Sequence, residues 1–172
     1  MKTDISGSTP RLRALGERQF ATLLTEHRDL LSRVATAHDG RIVKPEGDGY
    51  WLVLPSVTAA ALAAMSMQEE LRLAQSTVGD TRLSMRIVTA LGDIVHADGG
   101  LVGEAVVLTT RVEAITPPDE ISVAASAWLS MNHAKIRSTF VDSFSLKGFT
   151  EPVLVYRLEQ THRLGLSPIR TS

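Results

Sequence analysis

The spacing of apolar residues switches along the chain between a helical and a strand-like period, and this alternation limits the folds available to it. Residues 12–38 carry apolar side chains every three or four positions, which predicts one long amphipathic helix. Residues 41–54 predict two strands around a Gly-rich turn, and residues 55–73 predict a second, Ala-rich helix. With a short strand before the first helix and another at residues 83–95, the predicted order is β-α-β-β-α-β.

This order predicts an α+β fold with a ferredoxin-like βαββαβ core, in which helices back an antiparallel sheet. A small α/β extension follows the core. It consists of a helix at 103–115, strands at 120–124, 136–141 and 153–158, and a short helix at 125–131. We expect residues 1–158 to form one domain and residues 159–172, which lack periodicity, to form a mobile C-terminal tail.

Composition restricts the classes of partner. The 172 residues carry a formal net charge of −1 and no cysteine, which excludes a disulfide scaffold and a thiolate zinc site and disfavours nucleic acid as a partner. The strongly apolar stretch at 57–67 is about half of the roughly twenty residues that a membrane span needs. The first residues lack a secretory signal. We therefore expect a cytoplasmic protein without a nucleic-acid or membrane partner.

Two acidic residues mark the predicted edge of the sheet. Asp4 precedes a turn rich in Ser and Gly, and Asp48 lies in the Gly-rich turn of the hairpin. In a split βαβ sheet these two turns are neighbours, so we expect the carboxylates to converge. Two carboxylates with coordination left for phosphate and water suit Mg²⁺ or Mn²⁺. The N–H groups at the helix start after Thr9 suit a triphosphate.

Five motifs occur in one order over residues 4–158. They are Asp4-Ile5-Ser6-Gly7-Ser8-Thr9, Lys44-x-x-Gly47-Asp48-Gly49, Met85-Arg86-Ile87 with Gly92, Gly103-Glu104-Ala105-Val106 with Arg111, and Leu146-Lys147-Gly148-Phe149 with Glu151-Pro152-Val153. In order and spacing they resemble the class III nucleotide cyclase catalytic domain.

The resemblance implies a homodimer with two composite sites, in which the 3′-hydroxyl of a nucleoside triphosphate attacks its own α-phosphate and pyrophosphate leaves. Asp4, Asp48 and the Ile5 carbonyl would hold two divalent metal ions, Mn or Mg. Arg111 of the partner subunit would stabilise the transition-state phosphate, and Lys147 would grip the triphosphate. The turn and helix start would bind substrate phosphates through Ser6, Gly7, Ser8 and Thr9.

The expected base pocket departs from the purine cyclases that the chain resembles. Gly100 stands where those enzymes carry a polar base-reading residue, although a small loop shift could bring Asp98 near. Val107 stands where they carry an asparagine, and its side chain cannot form a hydrogen bond. Val102 adds a further apolar residue, whereas Lys44 matches the purine-contacting lysine. Tyr50, which follows Asp48, could narrow the pocket or simply be an apolar strand residue.

Several interpretations fit this mixture. The chain looks similar to the stand-alone pyrimidine cyclases of bacterial anti-phage defence, the Pycsar type. That implies conversion of UTP, or CTP, to cyclic UMP, or cyclic CMP, which a separate effector senses. Alternatively, Lys44 and backbone groups alone read a purine, or the domain is an inactive regulatory module that dimerises and binds nucleotide. The histidines show no metal-ligand spacing, so we expect them to be structural or solvent-exposed.

Overall fold

The computed structural model describes residues 1–75, 82–97 and 100–160. The core half contains β1 (Lys2–Ser6), α1 (Ser8–Leu15), α2 (Glu17–Ala37), β2 (Arg41–Glu46), β3 (Gly49–Val53), α3 (Val57–Ala74) and β4 (Ser84–Thr89). The second half contains β5 (Val95–Ala97), β6 (Gly100–Val102), α4 (Glu104–Ile115), β7 (Ile121–Ala124), α5 (Ala125–Leu129), β8 (Ser138–Phe144) and β9 (Val153–Leu158).

Seven strands form one sheet in the order β2-β3-β1-β4-β7-β9-β8. All neighbouring pairs are antiparallel except β4 with β7. Strands β5 and β6 form a separate hairpin. The predicted α+β class and the order of its first strands and helices are confirmed.

The strands near the centre of the sheet divide their side chains between two apolar clusters. Leu31 and Val34 of α2 and Met67 of α3 pack with Met85 and Ile87 of β4 on one face. On the other face, α4 supplies Leu108 and Val112 to a smaller cluster that contains Val88. Period-two alternation along a strand explains this division, because successive side chains point to opposite faces. The two faces of β1 therefore lie in different environments.

The predicted single helix over residues 12–38 is wrong. The chain forms two helices, α1 and α2, which are separated by Gly16 with φ 77° and ψ 161°. Only glycine adopts this region of backbone space without strain. The helical period of apolar residues continues across the break, which is why the sequence pattern did not reveal it.

The predicted strand over residues 83–95 is also too long. Strand β4 ends at Thr89, and the next strand of the chain is β5, the first arm of the β5–β6 hairpin. His96, which was predicted in a loop, therefore lies in a strand. Residues 161–172, most of the predicted tail, lie outside the described residues, and the domain boundary at 158 stays a prediction. None of the described helices is long and apolar enough to cross a bilayer.

Candidate active site

Asp4 lies within β1, two residues before the strand ends at Ser6, rather than directly before the turn. Its backbone pairs with Arg86 of β4 in the antiparallel register. Its side chain, 24% exposed, forms an ion pair with the same residue, with Asp4 Oδ2 3.2 Å from Arg86 Nε. Aspartate considered alone favours turns, whereas here the charge of a cross-strand arginine supports it within a strand.

The hairpin that carries Asp48 packs directly against β1. The Tyr50 N–H donates a hydrogen bond of 3.2 Å to Thr3 Oγ1. A Cβ atom at Gly49 would lie 2.1 Å from the Thr3 carbonyl oxygen, so only glycine permits this approach. Asp48 occupies the turn between β2 and β3, as the sequence predicts. The hairpin thus brings Asp48 to the strand that carries Asp4, although the two are far apart in sequence.

The electrostatic environment of Asp4 is acidic. The pKa of Asp4 is raised to about 6, mainly by burial and then by the charges of Glu113 and Asp48, while Arg86 and Lys2 act in the opposite direction. Two neighbouring carboxylates repel one another, and a bound cation would relieve that repulsion. This surplus of negative charge is a feature that a divalent metal would stabilise.

The residues present fit a hard divalent cation that also binds substrate oxygens. Asp4 and Asp48 supply carboxylates, and Ile5, whose side chain is buried, offers its backbone carbonyl. Among the described residues, no group of three or more His, Cys, Asp or Glu side chains is arranged to hold a metal ion. A site with few protein ligands is typical of Mg²⁺ in nucleotide enzymes, where phosphates and water complete the coordination. Metal binding by these residues stays a prediction.

Lys2, a buried residue that the sequence analysis did not single out, lies on the same face of β1 as Asp4. Lys2 Nζ is 2.8 Å from Glu46 Oε1 and 2.7 Å from Glu113 Oε2, and its side chain is only 7% exposed. Burial alone would lower the pKa of Lys2, but the hydrogen bonds and charges of the two glutamates outweigh it and raise the pKa. Glu46 also accepts a hydrogen bond of 2.8 Å from Trp51 Nε1. Lys2 thereby connects the hairpin to α4.

The segment predicted to bind phosphate connects β1 to α1. Gly7 has φ 71° and immediately precedes the helix, so Ser8 and Thr9 form its first residues. The Arg11 guanidinium donates to the carbonyls of Ser6 and Gly7 and fixes this turn. The first N–H groups of a helix have no intrahelical acceptor, so they suit an anion. Phosphate binding here stays a prediction.

Arg111 and Lys147 lie next to each other. Arg111, on α4, donates a hydrogen bond of 3.3 Å from Nε to the carbonyl oxygen of Lys147, in the turn between β8 and β9. The Lys147 side chain is exposed. We call Asp4 and Asp48 the acidic part of the candidate site, and Arg111 and Lys147 its basic part.

The residues assigned to the base pocket are spread over two regions. Val102 on β6 and Val107 on α4 are 57% and 45% exposed, and Gly100 begins β6. Lys44 lies on β2, opposite Trp51 in the register. Tyr50 packs against the helix-side core, with its ring 6.4 Å from that of His27. Asp98 lies outside the described residues.

Three charged residues near Asp4 were missed by the sequence analysis as parts of the site: Lys2, Arg86 and Glu113. Lys2 and Asp4 are two positions apart in β1, so strand alternation could have placed both on one face. Arg86 appeared only within a motif, although its register opposite Asp4 explains its role. No sequence pattern near Glu113 indicates that it belongs to the site, because its contact with Lys2 depends on how α4 packs on the sheet.

Known proteins resemble this chain over most of its length. The serine/threonine-protein kinase pkn2 of Myxococcus xanthus is 29% identical over 161 residues, which are 93% of this chain and 19% of that protein. The putative adenylate cyclase 3 of Rhizobium meliloti is 27% identical over 150 residues, 85% of this chain and 25% of that protein. This chain therefore spans a quarter or less of each of these two relatives.

Solved structures show the same fold. An adenylate/guanylate cyclase/hydrolase from Silicibacter pomeroyi superposes with a TM-score of 0.79 at 26% identity, covering 91% of this chain and 92% of that one. The adenylyl cyclase CyaB of P. aeruginosa gives a TM-score of 0.75 at 24% identity, covering 94% and 93%. The family described as adenylate and guanylate cyclase catalytic domain matches residues 1–160. Because this match covers nearly the whole chain, the protein belongs to that family and carries a nucleotide cyclase catalytic domain.

Proposed function

We propose that this domain converts a pyrimidine nucleoside triphosphate, UTP in preference to CTP, to the 3′,5′-cyclic nucleotide and pyrophosphate. One observation carries the proposal. The chain combines an acidic pair, Asp4 and Asp48, and a basic pair, Arg111 and Lys147, with residues at Gly100 and Val107 that offer no polar side chain to a base. The catalytic charges are kept, while the side chains that read a purine in the resembled enzymes are replaced.

The charged residues account for the chemistry. In the reaction the 3′-oxygen forms a bond to the α-phosphorus, the bond to the bridging oxygen of the β-phosphate breaks, and the hydroxyl proton passes to solvent. Divalent metal, when bound at Asp4 and Asp48, supplies charge that acidifies the hydroxyl and neutralises the leaving pyrophosphate. Arg111 stabilises charge on the transferring phosphate, and Lys147 holds the triphosphate.

We further propose that the active enzyme is a homodimer, with two sites made from both subunits. Within one protomer, Arg111 is hydrogen-bonded to the Lys147 backbone, and Asp4 is surrounded by a separate set of charges. A second copy in a twofold arrangement would place the basic part of one protomer opposite the acidic part of the other. The exposed side chains of Val102 and Val107 supply apolar surface for such an interface.

A purine substrate is the second candidate. Several similar proteins are described as adenylate or guanylate cyclases, and Lys44 is retained as a possible base contact.

Incubation of the purified protein with each of the four ribonucleoside triphosphates and Mn²⁺ or Mg²⁺ distinguishes the pyrimidine from the purine candidate. We expect cyclic UMP as the main product, and from Asp48→Asn we expect about a hundredth of that amount or less. Cyclic AMP or cyclic GMP as the only product would overturn the pyrimidine assignment. If none of the four triphosphates gave a cyclic product, the result would favour an inactive regulatory module.

The composite site can be tested by mixing two inactive variants. Asp48→Asn removes the acidic function of its protomer and Arg111→Ala removes the basic function. In a heterodimer of the two, one site keeps both functions, so random mixing should restore about a quarter of the wild-type activity. If the mixture stays as inactive as its components, each site belongs to a single protomer.

We propose that the cyclic nucleotide acts in the cytoplasm as a messenger for a separate effector in anti-phage defence. The resemblance to stand-alone pyrimidine cyclases supports this role. Cells that carry the protein together with its native neighbouring genes should resist phage infection, and Asp48→Asn should abolish resistance. Equal resistance with the variant would separate any defence role from catalysis.

A further inference from the structure

Lys2 is a buried cation in contact with two carboxylates and an aromatic ring. Its side chain is 7% exposed, and Nζ lies 2.8 Å from Glu46 Oε1 and 2.7 Å from Glu113 Oε2. The same nitrogen lies 5.4 Å from the centre of the Trp51 ring, within the range of a cation–π contact. Lysine is rarely buried to this extent unless its charge is paired. These contacts hold the Lys2 ammonium group in one position.

The two carboxylates are held to different degrees. Glu46 accepts hydrogen bonds from Lys2 at Oε1 and from Trp51 Nε1 at Oε2. The Glu113 side chain, on α4, is 15% exposed, and among the described residues its only hydrogen-bond or ion-pair partner is Lys2. Removal of one partner of a buried ion pair leaves the other as an uncompensated charge. The position and the net charge of the Glu113 side chain therefore depend on Lys2.

Glu113 is also near enough to Asp4 for their charges to interact. The charge of Glu113 raises the pKa of Asp4, and it does so more strongly than the charge of Asp48. The charge of Lys2 acts on Asp4 in the opposite direction. Lys2 and Asp4 lie two positions apart on one face of β1. Glu113 is thus a further carboxylate in the surroundings of Asp4, and Lys2 is the cation that pairs with it.

A further free carboxylate would change what a metal site at Asp4 can bind. Mg²⁺ in nucleotide enzymes uses one or two carboxylates and leaves its other positions to phosphate oxygens and water. An added negative charge would attract a divalent cation more strongly and would repel the phosphates of the substrate. An ion pair between Glu113 and Lys2 cancels both effects.

We propose that Lys2 is a positioning residue of the metal site: by holding and neutralising Glu113, it limits the site to the carboxylates of Asp4 and Asp48 and leaves room for a triphosphate. This inference rests on the metal site of the proposed function. It predicts that the net charge of the Lys2–Glu113 pair, and not the presence of either residue, sets the affinity of the site for metal.

Substitutions that change or keep the charge of this pair test the inference. Mn²⁺ binding to the nucleotide-free protein is measured from the electron paramagnetic resonance signal of the free ion, without turnover. Lys2→Met leaves Glu113 unpaired and should tighten Mn²⁺ binding by about threefold or more, and Glu113→Gln should weaken it by a similar factor. Lys2→Arg, and the double variant of Lys2→Met with Glu113→Gln, keep the net charge and should stay within about twofold of the wild type.

The affinity for inorganic tripolyphosphate should change in the opposite direction. Calorimetric titration with Mg²⁺ in both solutions measures this affinity. Lys2→Met should weaken it by about threefold or more, because the unpaired Glu113 repels the anion, and adding Glu113→Gln should restore it. If Lys2→Met weakened the binding of both Mn²⁺ and tripolyphosphate, Lys2 would have a purely structural role and the proposal would be overturned.

Arg82→Met is the matched control. It removes an ion pair of 2.7 Å with Asp119, and neither residue is among the charges that act on Asp4. We expect this variant to change neither affinity by more than about twofold. An effect of Arg82→Met equal to that of Lys2→Met would contradict a specific role for Lys2.

Asp48→Asn tests the metal site of the proposed function and should weaken Mn²⁺ binding by about tenfold or more. If it does so while Lys2→Met and Glu113→Gln bind Mn²⁺ like the wild type, the role of Lys2 alone is wrong. Wild-type binding by Asp48→Asn would overturn the metal site together with the role of Lys2. Should Lys2→Met fail to fold, Glu113→Gln decides, because unchanged Mn²⁺ affinity in that variant also overturns the proposal.

Discussion

The guanidinium of Arg86 lies 3.2 Å from the carboxylate of Asp4 and joins it to the helix that carries Arg111. Arg86 Nε also donates to Ser6 Oγ at 3.2 Å. Its Nη1 donates to the carbonyls of Glu113 at 3.4 Å and Thr116 at 3.3 Å, at the end of α4. One side chain thus connects the acidic part of the candidate site to the element that carries its basic part.

Replacing Arg86 with alanine should destabilise the protein by about 1–3 kcal/mol, because a partly buried carboxylate and two helix-end carbonyls lose their donor. Urea unfolding measures the change. Arg33→Ala is the control, since the pair of Arg33 with Glu70 is largely exposed and is expected to contribute less than about 1 kcal/mol. Equal effects of the two substitutions would contradict a structural role for Arg86.

Gly49→Ala should separate the hairpin from β1. Its Cβ would lie 2.1 Å from the backbone oxygen of Thr3, which cannot move without breaking the pairing of β1 with β3. We expect a loss of roughly 2 kcal/mol or more in unfolding free energy and a loss of cyclase activity. Gly47→Asn is the control, because Gly47 has φ 62° with no atom near its Cβ position, and asparagine tolerates that conformation. A wild-type melting curve for Gly49→Ala would refute the close approach.

Asp48→Asn should lower nucleotide cyclisation by about a hundredfold or more while the melting temperature stays unchanged. Asp48 lies in a half-exposed turn, so the carboxylate contributes to ion binding more than to the core. Asp142→Asn, in the exposed strand β8, is the control and should keep full activity. Product formation is measured at saturating Mn²⁺. Wild-type turnover by Asp48→Asn would remove Asp48 from the metal site.

His27 should make the stability of the protein depend on pH between about 4 and 6.5. The pKa of His27 is lowered to about 4 by burial, while the unfolded chain takes up a proton near its ordinary value of 6.5. The unfolded state therefore binds more protons in this window, and stability is present above it and lost as the pH falls through it. At about 1.4 kcal/mol per pKa unit, the loss amounts to roughly 3 kcal/mol.

Unfolding of the wild type and of His27→Phe at pH 7.5 and pH 5 tests this expectation. The variant cannot titrate at this position, so its stability should fall less over the same interval. Parallel losses in both proteins would assign the acid sensitivity to other groups.

Local pattern was sufficient for much of the fold. The order of the first strands and helices, the hairpin that carries Asp48, and helix α4 with Arg111 all follow from short-range periodicity and glycine placement. Strand β9 was predicted with its observed limits. The pattern failed at Gly16, where the outcome depends on a backbone conformation, and it did not reveal the ion pair of Asp4, which depends on a partner from another strand.

The sequence by itself determined the strand and helix order, the family motifs and the candidate charges, because these depend on neighbours within a few residues. Only the tertiary structure decided that Arg86 pairs with Asp4, that Lys2 lies between Glu46 and Glu113, and that His27 is buried with no hydrogen-bond partner among the described residues. Each of these contacts joins elements that are distant in the chain. Their energies come from burial and Coulomb interactions, which depend on distance in space and leave no periodic trace in the sequence.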